Sequence, residues 1–84
     1  MIVLATGSIN RPDLLAPRAD DEMRVLAQLK AAGVIKSAYR RAAAPGVYVI
    51  LEGSSIDALR EGVDTLPLVV EGLLTFDFDE IYEI

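Results

Sequence analysis

The chain has few side chains able to do chemistry. Its 84 residues include no His and no Cys. That excludes imidazole and thiol catalysis, thiolate metal sites and the usual zinc sites, and it excludes a disulfide scaffold. What remains for moving a proton is carboxylate. Two carboxylates stand in a short alternating run, Thr75-Phe76-Asp77-Phe78-Asp79. A period of two puts Thr75, Asp77 and Asp79 on one face of a strand, with Leu74, Phe76 and Phe78 on the other. In a groove shielded from water, desolvation would raise the pKa of Asp77 toward the range of a general base beside a carbonyl. On an open edge strand the same acids form a solvated row that discourages edge-to-edge pairing. Asp77 is the candidate catalytic residue.

Tyr39, Arg41 and Tyr48 form the second constellation. They come together if the turn between them closes as the longer of two loop lengths. A guanidinium flanked by two phenols can hold a carboxylate-bearing ligand through a bidentate fork and hydroxyl hydrogen bonds. The plainer alternative is an Arg–carboxylate pair at an interface rim, with both tyrosines as amphipathic packing. Lys36 would need burial to serve as a Schiff-base nucleophile, and nothing flanking it supplies that. No Gly-x-Gly-x-x-Gly or P-loop pattern occurs. No cofactor and no metal is expected.

Charge narrows the partners. Lys and Arg number 8 against 13 Asp and Glu, a net charge of −5. Such a chain binds phosphate backbones poorly, so nucleic acid is not an expected partner. Met1 to Ile9 lacks a basic leader region, and no apolar run approaches the roughly 18 residues of a membrane span. No membrane association is expected, and a cytoplasmic location is.

The elements that must position these residues follow from hydrophobic period and turn chemistry. Hydrophobic residues make up 52% of the chain, too many for a disordered segment. The length allows a single domain over residues 1–84. Met1 to Ala5 reads as a strand stopped by Gly7, and Ser8 to Ala16 as a loop. A helix starts near Pro17, with Asp20, Asp21 and Glu22 favoured by the macrodipole. Its apolar stripe is Ala19, Met23, Leu26, Leu29 and Ala32 with Val25 beside them, and Gly33 ends it. Val34 to Ala42 is a second strand, Ala44-Pro45-Gly46 a turn, and Val47 to Glu52 a third strand. The hairpin loop has three or four residues. Ser54 or Ser55 caps a second helix from about Ile56 to Thr65, and Leu73 to Tyr82 is the last strand.

This order, βαββαβ, predicts an α+β ferredoxin-like sandwich: a four-stranded antiparallel sheet with two helices on one face. A half-covered sheet should alternate apolar and polar residues. Here Ile2 and Leu4 oppose Met1, Val3 and Ala5, while Tyr48 and Ile50 oppose Val47, Val49 and Leu51, so the uncovered face stays apolar. A contiguous patch of that kind marks an interface. Covering about 600 Å² of it at roughly 25 cal/mol per Å² contributes about 15 kcal/mol, against association costs of about 4–15 kcal/mol. A homodimer with its open faces packed together is the expectation, against a monomer with scattered surface apolar residues.

From Leu26 to Ile81 the chain resembles the dimeric α/β-barrel superfamily, and within it the muconolactone isomerase-like proteins. The likeness runs through Leu26-Ala27-Gln28-Leu29-Lys30-Ala31-Ala32-Gly33, the Arg40-Arg41 strand, Glu52-Gly53-Ser54-Ser55 and Thr65-Leu66-Pro67-Leu68. The resemblance implies a homodimer or larger ring whose sheets form a barrel. It also implies a pocket that binds or isomerises small lactones and organic molecules. The YciI-like proteins are a second resemblance, but the His–Asp pair on which they rely has no counterpart here. Other proteins of this fold are excluded by their own motifs. Metal chaperones need Cys-x-x-Cys, and RNA binders need aromatic RNP motifs and basic charge. Acylphosphatases need a Gly-rich anion loop where this chain has Asn10-Arg11-Pro12-Asp13. The expected function is binding of a small organic acid or lactone, with isomerase-like proton transfer by Asp77. The alternative is a non-catalytic structural or accessory homodimeric subunit.

Overall fold

The computed structural model describes Met1 to Ile84. Strand β1 spans Ile2–Ile9, helix α1 Ala19–Ala31, β2 Ile35–Arg40, β3 Gly46–Glu52, α2 Ile56–Val63, α3 Pro67–Val70 and β4 Leu74–Ile81. Two single 3₁₀ turns, Pro12–Leu14 and Ala16–Arg18, lead into α1. The helix therefore starts two residues later than the Pro17 expected of it, because Pro17 belongs to the second of these turns. The sheet order is β2-β3-β1-β4, with every neighbouring pair antiparallel. This is the ferredoxin-like sandwich the element order predicts.

Local chemistry sets the boundaries. Gly33 takes φ +79° at the end of α1. Its N–H donates to the Lys30 carbonyl and that of Val34 to the Leu29 carbonyl, the two bonds of a Schellman stop. Ser55 is the cap of α2: its hydroxyl accepts from the Ala58 N–H at 3.1 Å. The second strand is shorter than Val34–Ala42, and a register shift between Ile35 and Ser37 leaves Lys36 as an extra residue. The bulge keeps both Ile35 and Ala38 on the inward face, while Lys36 stays exposed, 3.7 Å from Glu52.

The registers fix what each face carries. Val3, Ala5 and Gly7 of β1 lie between Leu51, Val49 and Val47 of β3 and Glu80, Phe78 and Phe76 of β4. Helices α1 and α2 cover this face. The main core is Val3, Ala5, Ile35, Val49, Leu51, Leu59, Val63 and Leu66. Leu68, Leu73 and Leu74 form a second cluster under α3. The Arg60 guanidinium lies over the Phe78 ring, 4.7 Å from its centroid, which ties α2 to the edge strand β4. No residue of α1 is fully buried. Its inward residues are Glu22, Val25, Leu26 and Leu29, whereas Met23 is 61% exposed. The stripe is thus rotated from the one expected, and it begins with a carboxylate. No helix is long and apolar enough to cross a membrane.

Candidate functional site

All the residues singled out from the sequence lie on the sheet face that the helices leave open. Tyr39 of β2 pairs with Tyr48 of β3, Tyr48 with Thr6 of β1, and Thr6 with Asp77 of β4. These four form one row across the sheet, and at a strand spacing of about 4.8 Å Asp77 stands roughly 10 Å from Tyr48. Arg41 continues the hairpin by one residue. Its N–H donates to the Gly46 carbonyl at 3.0 Å, which leaves Ala42 to Pro45 as the longer, four-residue loop. Its guanidinium carbon is 5.2 Å from the Tyr48 ring centroid, and Nη1 donates to Ser8 Oγ at 3.4 Å. Tyr39, Arg41 and Tyr48 are therefore brought together, with Asp77 two strands beyond Tyr48 on the same face. The row is open to solvent: Tyr39 is 60% and Tyr48 38% exposed, and Asp77 is exposed as well. No group of three Asp or Glu side chains has a geometry that could hold a metal ion.

A partly open concavity lies on the other side of the sheet. A cavity of about 130 Å³ sits between α1, the Leu66–Leu68 segment and the inner sheet face. Leu26, Val49, Leu66, Leu68 and Phe76 contribute to its walls, and its one charged residue is Glu22. An apolar cavity of about 150 Å³ holds benzene, so the space matches about one small ring. Glu22 Oε1 accepts a 2.9 Å hydrogen bond from the Leu68 N–H. Burial raises the Glu22 pKa, and the Leu68 hydrogen bond opposes that only in part. A carboxyl whose pKa burial raises, next to an apolar cavity, is equipped to donate or accept a proton at a bound carbonyl.

Sequence reasoning missed Glu22 because it read the acids at 20–22 as helix N-terminal charge. The available signal was the spacing 22, 25, 26, 29, which is an inward stripe once Glu22 is allowed into it. Its partner could not be foreseen, since the short helix α3 was itself not read from the sequence.

The class of protein these observations define is a ferredoxin-like α+β sandwich with one open sheet face and a small apolar cavity under its first helix. No protein-family model matches the sequence, and no curated protein does. Among solved structures, the chain is similar to 5-chloro-2-hydroxyhydroquinone dehydrochlorinase from Burkholderia phenoliruptrix AC1100, in complex with 2,5-dihydroxybenzoquinone. The TM-score is 0.75 at 22% identity, over 98% of this chain and 94% of that one. The likeness is one of fold.

Proposed function

We propose that this protein binds a small organic acid or lactone and moves a proton on it, as an isomerase resembling the muconolactone isomerase-like proteins would. The observation that carries the reading is Glu22, the one carboxylate in an otherwise apolar cavity. Glu22 is the proton-transfer group of this proposal. Support from the comparison is limited to the shared fold, one solved example of which is a dehydrochlorinase with a quinone bound. The test uses purified protein with muconolactone for turnover and 2,5-dihydroxybenzoquinone for binding. Glu22→Gln should abolish turnover with an unchanged circular dichroism spectrum. If Asp77→Asn abolishes it instead and Glu22→Gln does not, the proton moves on the open sheet face and the Glu22 assignment is wrong.

The second reading is a homodimer joined through the open face, acting as a cytoplasmic structural or accessory subunit without catalysis. It is favoured by Ile2, Leu4, Ile50 and Ile81, all on that face and only half-buried in the single chain. In such a dimer Tyr39, Arg41, Tyr48 and Asp77 would line the space between the sheets, where Arg41 and the two phenols could hold a ligand carboxylate. A protein that dimerises but neither binds nor converts either probe fits this reading alone.

A further inference from the structure

A second concavity, separate from the Glu22 cavity, opens where the β2–β3 hairpin meets the loop after β1. It is a cleft of about 300 Å³, lined by Ile9, Leu15, Arg40, Arg41, Pro45, Gly46 and Val47. That volume is at the lower end of the range for small-molecule sites, about 300–1,000 Å³. Ile9, Leu15 and Val47 supply its hydrophobic side chains, and its only charged residues are the two arginines. No carboxylate lines the cleft, although the chain carries 13 acids.

The two arginines differ in what they are free to do. The Arg41 guanidinium turns to the open sheet face, onto Tyr48 and Ser8, so in the cleft Arg41 contributes stem and backbone. Arg40 pairs with Val47 in the strand register, on the inner face of the sheet. It takes part in none of the four ion pairs of the protein, which use Arg11, Arg18, Arg24 and Lys36. Gly46 lets the hairpin approach the β1 backbone closely beside the cleft. A Cβ there would lie 2.1 Å from the Gly7 carbonyl oxygen and 2.9 Å from Arg41 Cδ.

We propose that this cleft binds a small amphipathic carboxylate, with its apolar part against Ile9, Leu15 and Val47 and its carboxylate paired with Arg40. An arginine without an acid partner, beside an apolar wall in a net-negative chain, is complementary to that ligand class. The site stands on its own observations and does not require that the Glu22 cavity be occupied. The two concavities share the side chains of Ile9 and Val47 as a common wall.

The experiment is a titration of isotope-labelled protein followed by amide NMR, using benzoate, its neutral counterpart benzyl alcohol, and inorganic phosphate as probes. Benzoate is expected to shift the Ile9, Gly46 and Val47 amides. Arg40→Gln should weaken it about tenfold or more while leaving benzyl alcohol unaffected. Arg40→Lys should retain part of the affinity, which covers the case of a poorly folded Arg40→Gln. Arg24→Gln, which removes an equal charge from exposed α1, should change nothing. The proposal is overturned if benzoate binds equally well to Arg40→Gln, or if phosphate binds as tightly as benzoate. A benzoate shift confined to the Leu68 amide would also overturn it while supporting the Glu22 cavity. Shifts at Gly46 without any at Leu68 leave the cleft standing and count against that cavity as the acid site.

Discussion

Glu22 and Leu68 meet across 46 residues of sequence, the carboxylate oxygen 2.9 Å from the backbone N–H. This bond joins the first turn of α1 to the start of α3. Pro67 opens α3, so the N–H of Leu68 lies in a helical turn that offers it no internal partner. Arg18, just before α1, pairs with Glu71 just after α3, a second tie between the same two segments. The carboxylate thus satisfies a backbone donor and closes the rim of the cavity, and burial raises its pKa in consequence.

Stability should report that carboxylate. The folded-state pKa of Glu22 is raised, so the native chain binds its proton more tightly than the unfolded chain does. As pH rises from the unfolded glutamate pKa of about 4.3 through the higher folded value, the wild type loses stability on account of this group. Glu22→Gln can still accept from Leu68 but does not ionise. Urea unfolding should show the variant gaining on the wild type between pH 4 and pH 7. A stability difference independent of pH would contradict a raised Glu22 pKa in the folded state.

Gly7 is a packing constraint on the inner sheet face. A Cβ there would stand 2.8 Å from both Phe76 Cε1 and Val47 Cγ2, and 2.9 Å from Leu74 Cδ1. Gly7→Ala should destabilise the protein by roughly 1–3 kcal/mol, the usual cost of overpacking. Chemical denaturation of the purified variant measures it directly.

Ser55 carries the start of α2 through its bond to the Ala58 N–H. Ser55→Ala should cost about 1 kcal/mol, and Ser55→Asp should recover most of it. Melting temperatures of the three proteins are the check.

The open sheet face should be separable from the fold. Leu4 projects from it in the centre of the sheet, between Ile50 and Asp79. Leu4→Asp adds a charge to the patch without entering the core, so the circular dichroism spectrum should be retained. If copies associate through this face, light scattering should give twice the chain mass for the wild type and a single chain mass for the variant. A wild type of single chain mass at micromolar concentration removes the dimer reading.

Much of this molecule was legible in its residues. Period-two alternation placed Asp77 opposite Phe76 and Phe78, and Tyr48 opposite Val47 and Val49, because strand geometry leaves no other choice. Gly33 and the pair Ser54-Ser55 announced where helices stop and start, since backbone conformation and capping are local matters. From these and the strand order, the ferredoxin-like architecture followed, but the face of Tyr39 and Arg41 waited on the hairpin register, which the sequence left between two loop lengths.

Only the tertiary structure decided where a carboxylate leaves solvent. Glu22 and Asp77 are both acids beside apolar neighbours in the sequence, yet Glu22 is half-buried and Asp77 exposed. The rotation of α1 that turns Glu22 inward is set by packing on the sheet and by a donor on α3, and neither is encoded near residue 22. The bulge at Lys36 and the cleft beside Arg40 have the same origin. Strand register is settled by which side chains must be buried together, so it emerges only when distant segments meet.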